Sequence, residues 1–280
     1  MSNTLNDALN SQTARLVFIG AGNMASSIIG GLVSHGYPAQ LITATDRSTD
    51  QLEQLAQQTG INTSTDNSAA AANADAIILA VKPQVMADVA TPLKPVIADN
   101  KPLIISIAAG ITVDNLLNWM GNDLPIIRTM PNTPALVQTG ATGLYANAAV
   151  SEQQKALADT VFSAIGLASW FDQESDLDAV VAISGSGPAY FFMMMEAMEE
   201  AGVKLGLSAE SARELTLHTA LGAAKLAQSS DVSPAELRRR VTSPGGTTEQ
   251  AIQRFEEGGL RELVDTALQA ASKRSKELAG

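Results

Sequence analysis

Gly20-Ala21-Gly22-Asn23-Met24-Ala25 directly follows the apolar run Leu16-Val17-Phe18-Ile19. At the end of a first strand, Gly20 permits a tight turn, Gly22 lets backbone approach a pyrophosphate, and small Ala25 lets the following helix pack close to the sheet. The backbone amides of Asn23 and Met24, at the helix start, would then face phosphate oxygens. A second apolar run ends at Asp46-Arg47-Ser48. An acid there commonly accepts from the ribose 2′-hydroxyl of NAD, whereas an adjacent arginine holds the 2′-phosphate of NADP. Both readings stay open, and Arg47 favours NADPH, with NADH usable.

Several further turns follow apolar runs. Ala80-Val81-Lys82-Pro83-Gln84 leaves a lysine beside the expected cofactor crevice, because the proline stops the strand. Ser106-Ile107-Ala108-Ala109-Gly110 offers small residues that would let a nicotinamide ribose lie against backbone. Arg128-Thr129-Met130-Pro131-Asn132-Thr133-Pro134 fixes its backbone with two prolines and presents Asn132 and Thr133. Ser184-Gly185-Ser186-Gly187-Pro188 breaks an apolar helical stretch, and the methionines and phenylalanines after it read as packing surface or a subunit interface. Thr242-Ser243-Pro244-Gly245-Gly246-Thr247-Thr248 ends one helix and begins another. Free amides at a helix start make a carboxylate pocket, to which Thr247 and Thr248 add hydroxyls. Thr247 with Gln250 also fits a capping box.

The elements that must position these residues alternate through the first half. Strands are expected at 15–19, 41–45, 74–81, 103–108 and 126–128, with two more at 142–145 and 166–171. Helices are expected at 23–34, 51–59, 85–98, 113–119 and 152–164. Such alternation predicts an α/β Rossmann domain with a parallel sheet covered on both faces. From Glu174 onward only helical spacing remains, at 176–201, 209–227, 234–240, 248–256 and 260–278. The fold class is therefore α/β, a Rossmann dinucleotide-binding domain over 15–172 followed by an all-α domain over 173–280. Residues 1–14 read as a flexible tail.

Composition narrows the partners. The 280 residues carry a formal net charge of −11 and no cysteine. Acidity disfavours nucleic acid and anionic membrane surfaces, and the missing thiols exclude thiolate catalysis and cysteine-ligated metal. His35 and His218 lack metal-ligand spacing, so no metal is expected. No uninterrupted apolar run approaches the roughly 20 residues of a membrane span. A cytoplasmic enzyme acting on a small molecule fits these limits.

Taken together, the opening glycine turn, Ala80-Val81-Lys82-Pro83-Gln84, Met130-Pro131-Asn132-Thr133-Pro134, Ser184-Gly185-Ser186-Gly187-Pro188-Ala189-Tyr190 and Ser243-Pro244-Gly245-Gly246-Thr247-Thr248 closely resemble the pyrroline-5-carboxylate reductase family. The resemblance runs from about Leu16 to the C-terminal helices. It implies reduction of 1-pyrroline-5-carboxylate to L-proline by NAD(P)H, the last step of proline biosynthesis. It also implies a homodimer made through the C-terminal helices, with larger rings such as a decamer possible in the family. Carried over by motif, Gly20, Ala21, Gly22, Asn23, Met24, Asn67, Val81, Lys82 and Ala109 would contact the cofactor, with Ala80 and Pro83 from the same turn. Glu174, Gly246, Thr247 and Thr248 would surround the substrate, with Asn132 nearby. Thr248 is the expected hydrogen-bond partner of the ring nitrogen, while amides at 246–248 hold the carboxylate. Asp46 departs from family members that favour NADPH, which often carry an uncharged residue there. Two other readings are a β-hydroxyacid dehydrogenase, for which Lys204 or Lys225 would be the catalytic lysine, and a non-catalytic NAD(P) sensor.

Overall fold

The computed structural model describes residues 13–279. Strand β1 (Leu16–Ile19) is buried along its length and alternates between two cores. Leu16 and Phe18 join one hydrophobic cluster and Val17 and Ile19 the other. That alternation is what a strand covered by helices on both faces requires. Strands β2 (Ile42–Thr45), β3 (Asn62–Ser64), β4 (Ala76–Leu79), β5 (Leu103–Ser106), β6 (Ile126–Met130), β7 (Gly140–Ala146) and β8 (Gly166–Trp170) complete an eight-stranded sheet in the order β3-β2-β1-β4-β5-β6-β7-β8.

β1 to β6 are mutually parallel, but β7 runs antiparallel to β6, and β8 follows β7. The expected parallel sheet is thus found in β1 to β6, and β7 with β8 departs from it. The link between β6 and β7 holds only a 3-10 turn, Thr133–Val137, and so lacks the helix that a parallel crossover needs. β3 was not expected from the sequence, because its Asn-Thr-Ser run is polar and lies at an exposed edge.

Helix α1 (Asn23–Ser34) packs so tightly that a methyl on Gly31 would meet the Ala164 carbonyl oxygen at 2.7 Å. α2 (Thr49–Thr59) and α3 (Asn67–Ala71) follow β2 and β3. The single helix expected at 85–98 is broken into α4 (Met86–Ala90) and α5 (Lys94–Ile97), with Pro92 in the 3-10 turn between them and Pro95 in the first turn of α5. Proline cannot donate to the helix ladder, so the break falls there. α6 (Val113–Met120) precedes β6, and α7 (Glu152–Ser163) makes the crossover from β7 to β8.

The described residues separate into two compact units, one of 13–186 together with 271–279, the other Gly187–Ala270. The division lies later than the expected 172/173 because α8 (Asp176–Val180) packs on the sheet. A methyl on Gly143 of β7 would meet Val180 at 2.8 Å. A π-helical segment, Val181–Gly185, extends α8. Of the expected tail, residues 1–12 lie outside the described residues, while the Ala14 carbonyl accepts from the Tyr37 hydroxyl at 2.7 Å. Burial, with the Asp75 carboxylate as a smaller contribution, pushes that phenol's pKa upward.

The second unit is helical: α9 (Gly187–Lys204), α10 (Ala209–Gln228), α11 (Pro234–Arg240), α12 (Thr247–Glu257) and the first part of α13 (Leu260–Ala279). α9 and α10 pack against each other, with Ala212 buried at Gly202. The helical stretch Asp176–Lys204, 29 residues long, is apolar enough to cross a membrane by length and composition. The sequence expectation of no such span counted only uninterrupted apolar runs. The serines, glycines and proline around residue 186 divide the run without making it polar.

Candidate cofactor and substrate sites

The parallel strands end together on one side of the sheet, where open α/β sheets hold ligands. Gly20 leaves β1 with φ +100 and donates its amide to the Thr45 carbonyl at 2.8 Å. A methyl there would lie 2.7 Å from the Ala80 oxygen, so the turn can touch β4's end only with glycine. Gly22 is the N-cap of α1 with no side-chain cap, and a methyl on it would meet nothing within 4 Å. The first turn of this 12-residue helix carries no acidic residue. Uncapped amides, the positive end of the helix dipole and open space above Gly22 together fit a dinucleotide pyrophosphate.

The remaining cofactor candidates lie around this turn. Asp46 accepts from the Ala21 amide at 2.9 Å through one carboxylate oxygen and from the Ser48 amide at 3.0 Å through the other. Arg47 is exposed and forms no ion pair among the described residues. Asn67 opens α3, whose cap is Asp66. Ala80 donates to the Ile19 carbonyl at 2.8 Å, Lys82 is exposed beyond it, and Pro83 begins a 3-10 turn. Ala109 is exposed after β5, next to Gly110 with φ +75.

Two candidate substrate residues prove to be engaged within the first unit. Asn132 is buried, donates to the Ser184 carbonyl at 2.9 Å and accepts from the Ala141 amide at 2.8 Å. It thereby ties the Thr133–Val137 turn to β7 and to the π segment. Glu174 receives 2.9 Å hydrogen bonds from Arg128 and from the Val113 amide, both at the same oxygen. Arg128 is only 7% exposed, so this carboxylate neutralises a buried charge and holds the start of α6.

In the second unit, Gly246 is the N-cap of α12 and has no side-chain cap, while Thr247 and Thr248 occupy the first helical turn. The Thr247 and Gln250 side chains form no capping box. Instead Glu249 accepts from the Gly245 amide at 2.7 Å. Gly245 takes φ +71, which turns the chain into the helix. Thr247 is exposed and Thr248 half-buried. Their hydroxyls make no hydrogen bond within the chain among the described residues, leaving both able to meet a ligand. α11 before this loop is braced by Glu236, whose pKa falls to about 2 through hydrogen bonds from Arg239 and then Arg240.

Comparison with known proteins assigns these two parts. Residues 174–278 match the family described as pyrroline-5-carboxylate reductase dimerisation, and residues 15–110 match that described as NADP oxidoreductase coenzyme F420-dependent. The pyrroline-5-carboxylate reductase of Pseudomonas aeruginosa is 55% identical over 267 residues, covering 95% of this chain and 97% of that protein. The chain belongs to the pyrroline-5-carboxylate reductase family. Among solved structures of pyrroline-5-carboxylate reductases, that from Coxiella burnetii has a TM-score of 0.93 at 46% identity, covering 96% of this chain and all of that one. The pyrroline carboxylate reductase of Plasmodium falciparum, solved with NADP bound, has a TM-score of 0.84 at 30% identity over 96% and 99% of the two chains.

Gln51 and Arg128 were not expected as site residues. Gln51 sits three positions after the cap Ser48, where it reads as a capping partner. Its side-chain amide instead crosses to the Ala21 carbonyl at 2.6 Å. Arg128 stood in a recognised motif, but nothing in its spacing paired it with Glu174.

Proposed function

We infer that this chain reduces the C=N bond of 1-pyrroline-5-carboxylate to give L-proline, with NADPH as hydride donor and NADH usable. This is the closing step of proline biosynthesis. The supporting observation is family membership at 55% identity over nearly the whole chain, joined to an uncapped, open helix start after β1.

The nicotinamide cofactor, when bound, supplies the hydride. Amides of Gly22, Asn23 and Met24 at the start of α1 would hold the pyrophosphate, and Ala21 would fix the turn. Ala80, Val81, Lys82 and Pro83 would border the same crevice, Ala109 would back the nicotinamide ribose, and Asn67 would also contact the cofactor. Arg47 would meet the 2′-phosphate. At α12, amides of Gly246, Thr247 and Thr248 anchor the substrate carboxylate, a task suited to an uncapped helix start. The Thr248 hydroxyl hydrogen-bonds the ring nitrogen.

On hydride addition at the imine carbon the π electron pair would move to nitrogen, whose proton is already in place on the protonated imine. Alignment and anchoring therefore carry the rate, with no nucleophile or metal in the scheme. Asn132 and Glu174 act at one remove, by holding the chain around the β6 and α6 ends. Lys204 lies exposed beside Glu200 at 3.9 Å, a poor setting for the catalytic lysine of a hydroxyacid dehydrogenase.

We place the enzyme in the cytoplasm as a homodimer joined through its C-terminal helices, with a decameric ring as the larger form. The apolar surface of α9 then meets a second copy and not a membrane. Following NADPH oxidation with 1-pyrroline-5-carboxylate and with a panel of β-hydroxyacids tests the reaction. Turnover of the imino acid alone is expected; turnover of a hydroxyacid alone, or none despite dinucleotide binding, would overturn the assignment.

A further inference from the structure

The phosphate-binding turn is gripped from the second β-α unit. Gly20 donates to Thr45 at the end of β2, the Ala21 amide donates to Asp46, and the Ala21 carbonyl accepts from Gln51 at 2.6 Å and from Ser26 at 3.1 Å. The peptide groups on both sides of Ala21 are therefore held by side chains 25 and 30 residues away in sequence. Asp46 is itself fixed, because its other oxygen accepts from Ser48. An acid at this position would ordinarily be assigned to the ribose of NAD and would repel a 2′-phosphate. Here both oxygens are turned to backbone amides, and the neighbouring Arg47 is exposed without an ionic partner among the described residues.

We propose that Asp46 and Gln51 are positioning residues, a clasp that orients the Gly20-Ala21-Gly22 turn for the pyrophosphate, and that Asp46 takes no part in choosing between NADPH and NADH. The proposal rests on the reading of residues 20–24 as the phosphate site. Its physical core is that every clasp contact is made within the chain and none to a group that distinguishes the two dinucleotides. Asp46→Asn replaces one acceptor oxygen by a donor, so either Ala21 or Ser48 loses its partner. The turn loosens for both cofactors alike. Gln51→Ala releases the Ala21 carbonyl and has the same character.

The test measures dissociation constants for NADPH and NADH by nucleotide fluorescence in wild type, Asp46→Asn, Gln51→Ala and Gly22→Val, with the imino-acid KM at saturating NADPH beside them. Asp46→Asn is expected to weaken both dinucleotides by roughly 5- to 20-fold, and Gln51→Ala by roughly 3- to 10-fold. The NADPH-to-NADH ratio and the imino-acid KM should stay unchanged. A loss confined to NADH, with NADPH unaffected or tighter, would show Asp46 to be a ribose acceptor and overturn the clasp. Gln51→Ala carries the same comparison should Asp46→Asn fail to fold. Gly22→Val must abolish binding of both cofactors. If it leaves them intact, the phosphate-site reading fails, and the clasp with it.

Discussion

Gly20 and Gly22 belong to one sequence pattern, yet a side chain at each would meet different physics. A methyl on Gly20 runs into the Ala80 carbonyl at 2.7 Å on a backbone with φ +100, whereas one on Gly22 enters open space. Gly20→Ala should therefore lower stability by about 1–3 kcal/mol through strain and overlap, seen as a fall in Tm without cofactor. Gly22→Ala should leave stability within about 1 kcal/mol of wild type, with a correspondingly small change in Tm, while raising the KM for NADPH. Equal Tm losses in the two variants would refute this division. Thr248→Ala belongs to the same scale. Its free hydroxyl predicts a roughly tenfold or greater fall in kcat/KM for the imino acid, with NADPH affinity unchanged; an unaffected rate rules the role out. Residue types at turns are what singled out both candidate sites in the sequence, because glycines between a strand or loop and a helix start leave backbone amides open to a ligand. What they could not announce is reach: Asn132, Glu174 and Gln51 are polar residues whose partners lie 9 to 61 positions away.

Elements were legible where burial was continuous. β1, β4 and β5 each consist of four fully buried residues, and such runs have one reading between helices. β3 and the direction of β7 were hidden for opposite reasons, one being too polar and the other depending on the length of a loop. At the start of α11 the Ser233 hydroxyl accepts from the Glu236 amide, while Arg239 and Arg240 fork onto the Glu236 carboxylate. This fork has a pH consequence. Glu236 is held down at about 2, against about 4.3 for an unpaired glutamate. Its stabilising contribution is complete above the unfolded value and is lost as pH falls from about 4.3 through about 2. Urea midpoints for wild type and Glu236→Gln, measured from about pH 6 down to 2.5, should converge across that window. The gap should shrink in high salt, since the pair is exposed. Parallel profiles would show that the fork contributes nothing to folding.

For the whole molecule, the telling feature is how much of the second unit lies open. Phe191, Phe192 and Met193 on α9 are 62–72% exposed, and Leu215, Leu221 and Leu226 on α10 are more than half exposed. Large apolar side chains exposed in this number point to a covered surface, and residues 174–278 match the pyrroline-5-carboxylate reductase dimerisation family. Lipid is the other candidate cover, since the Asp176–Lys204 stretch has the length and composition to span a bilayer. Phe192→Glu separates the two. In a homodimer interface it buries unpaired charge on both sides of the symmetry axis, at roughly 3 kcal/mol or more, so the dimer dissociation constant should rise by about 100-fold or more. Sedimentation would then show monomer at concentrations where wild type is dimeric, with far-UV circular dichroism reporting that the helices persist. Wild-type protein should stay in the supernatant when spun with neutral vesicles. An unchanged sedimentation coefficient for the variant would remove Phe192 from the interface, and wild type pelleting with vesicles would assign the apolar face of α9 to lipid.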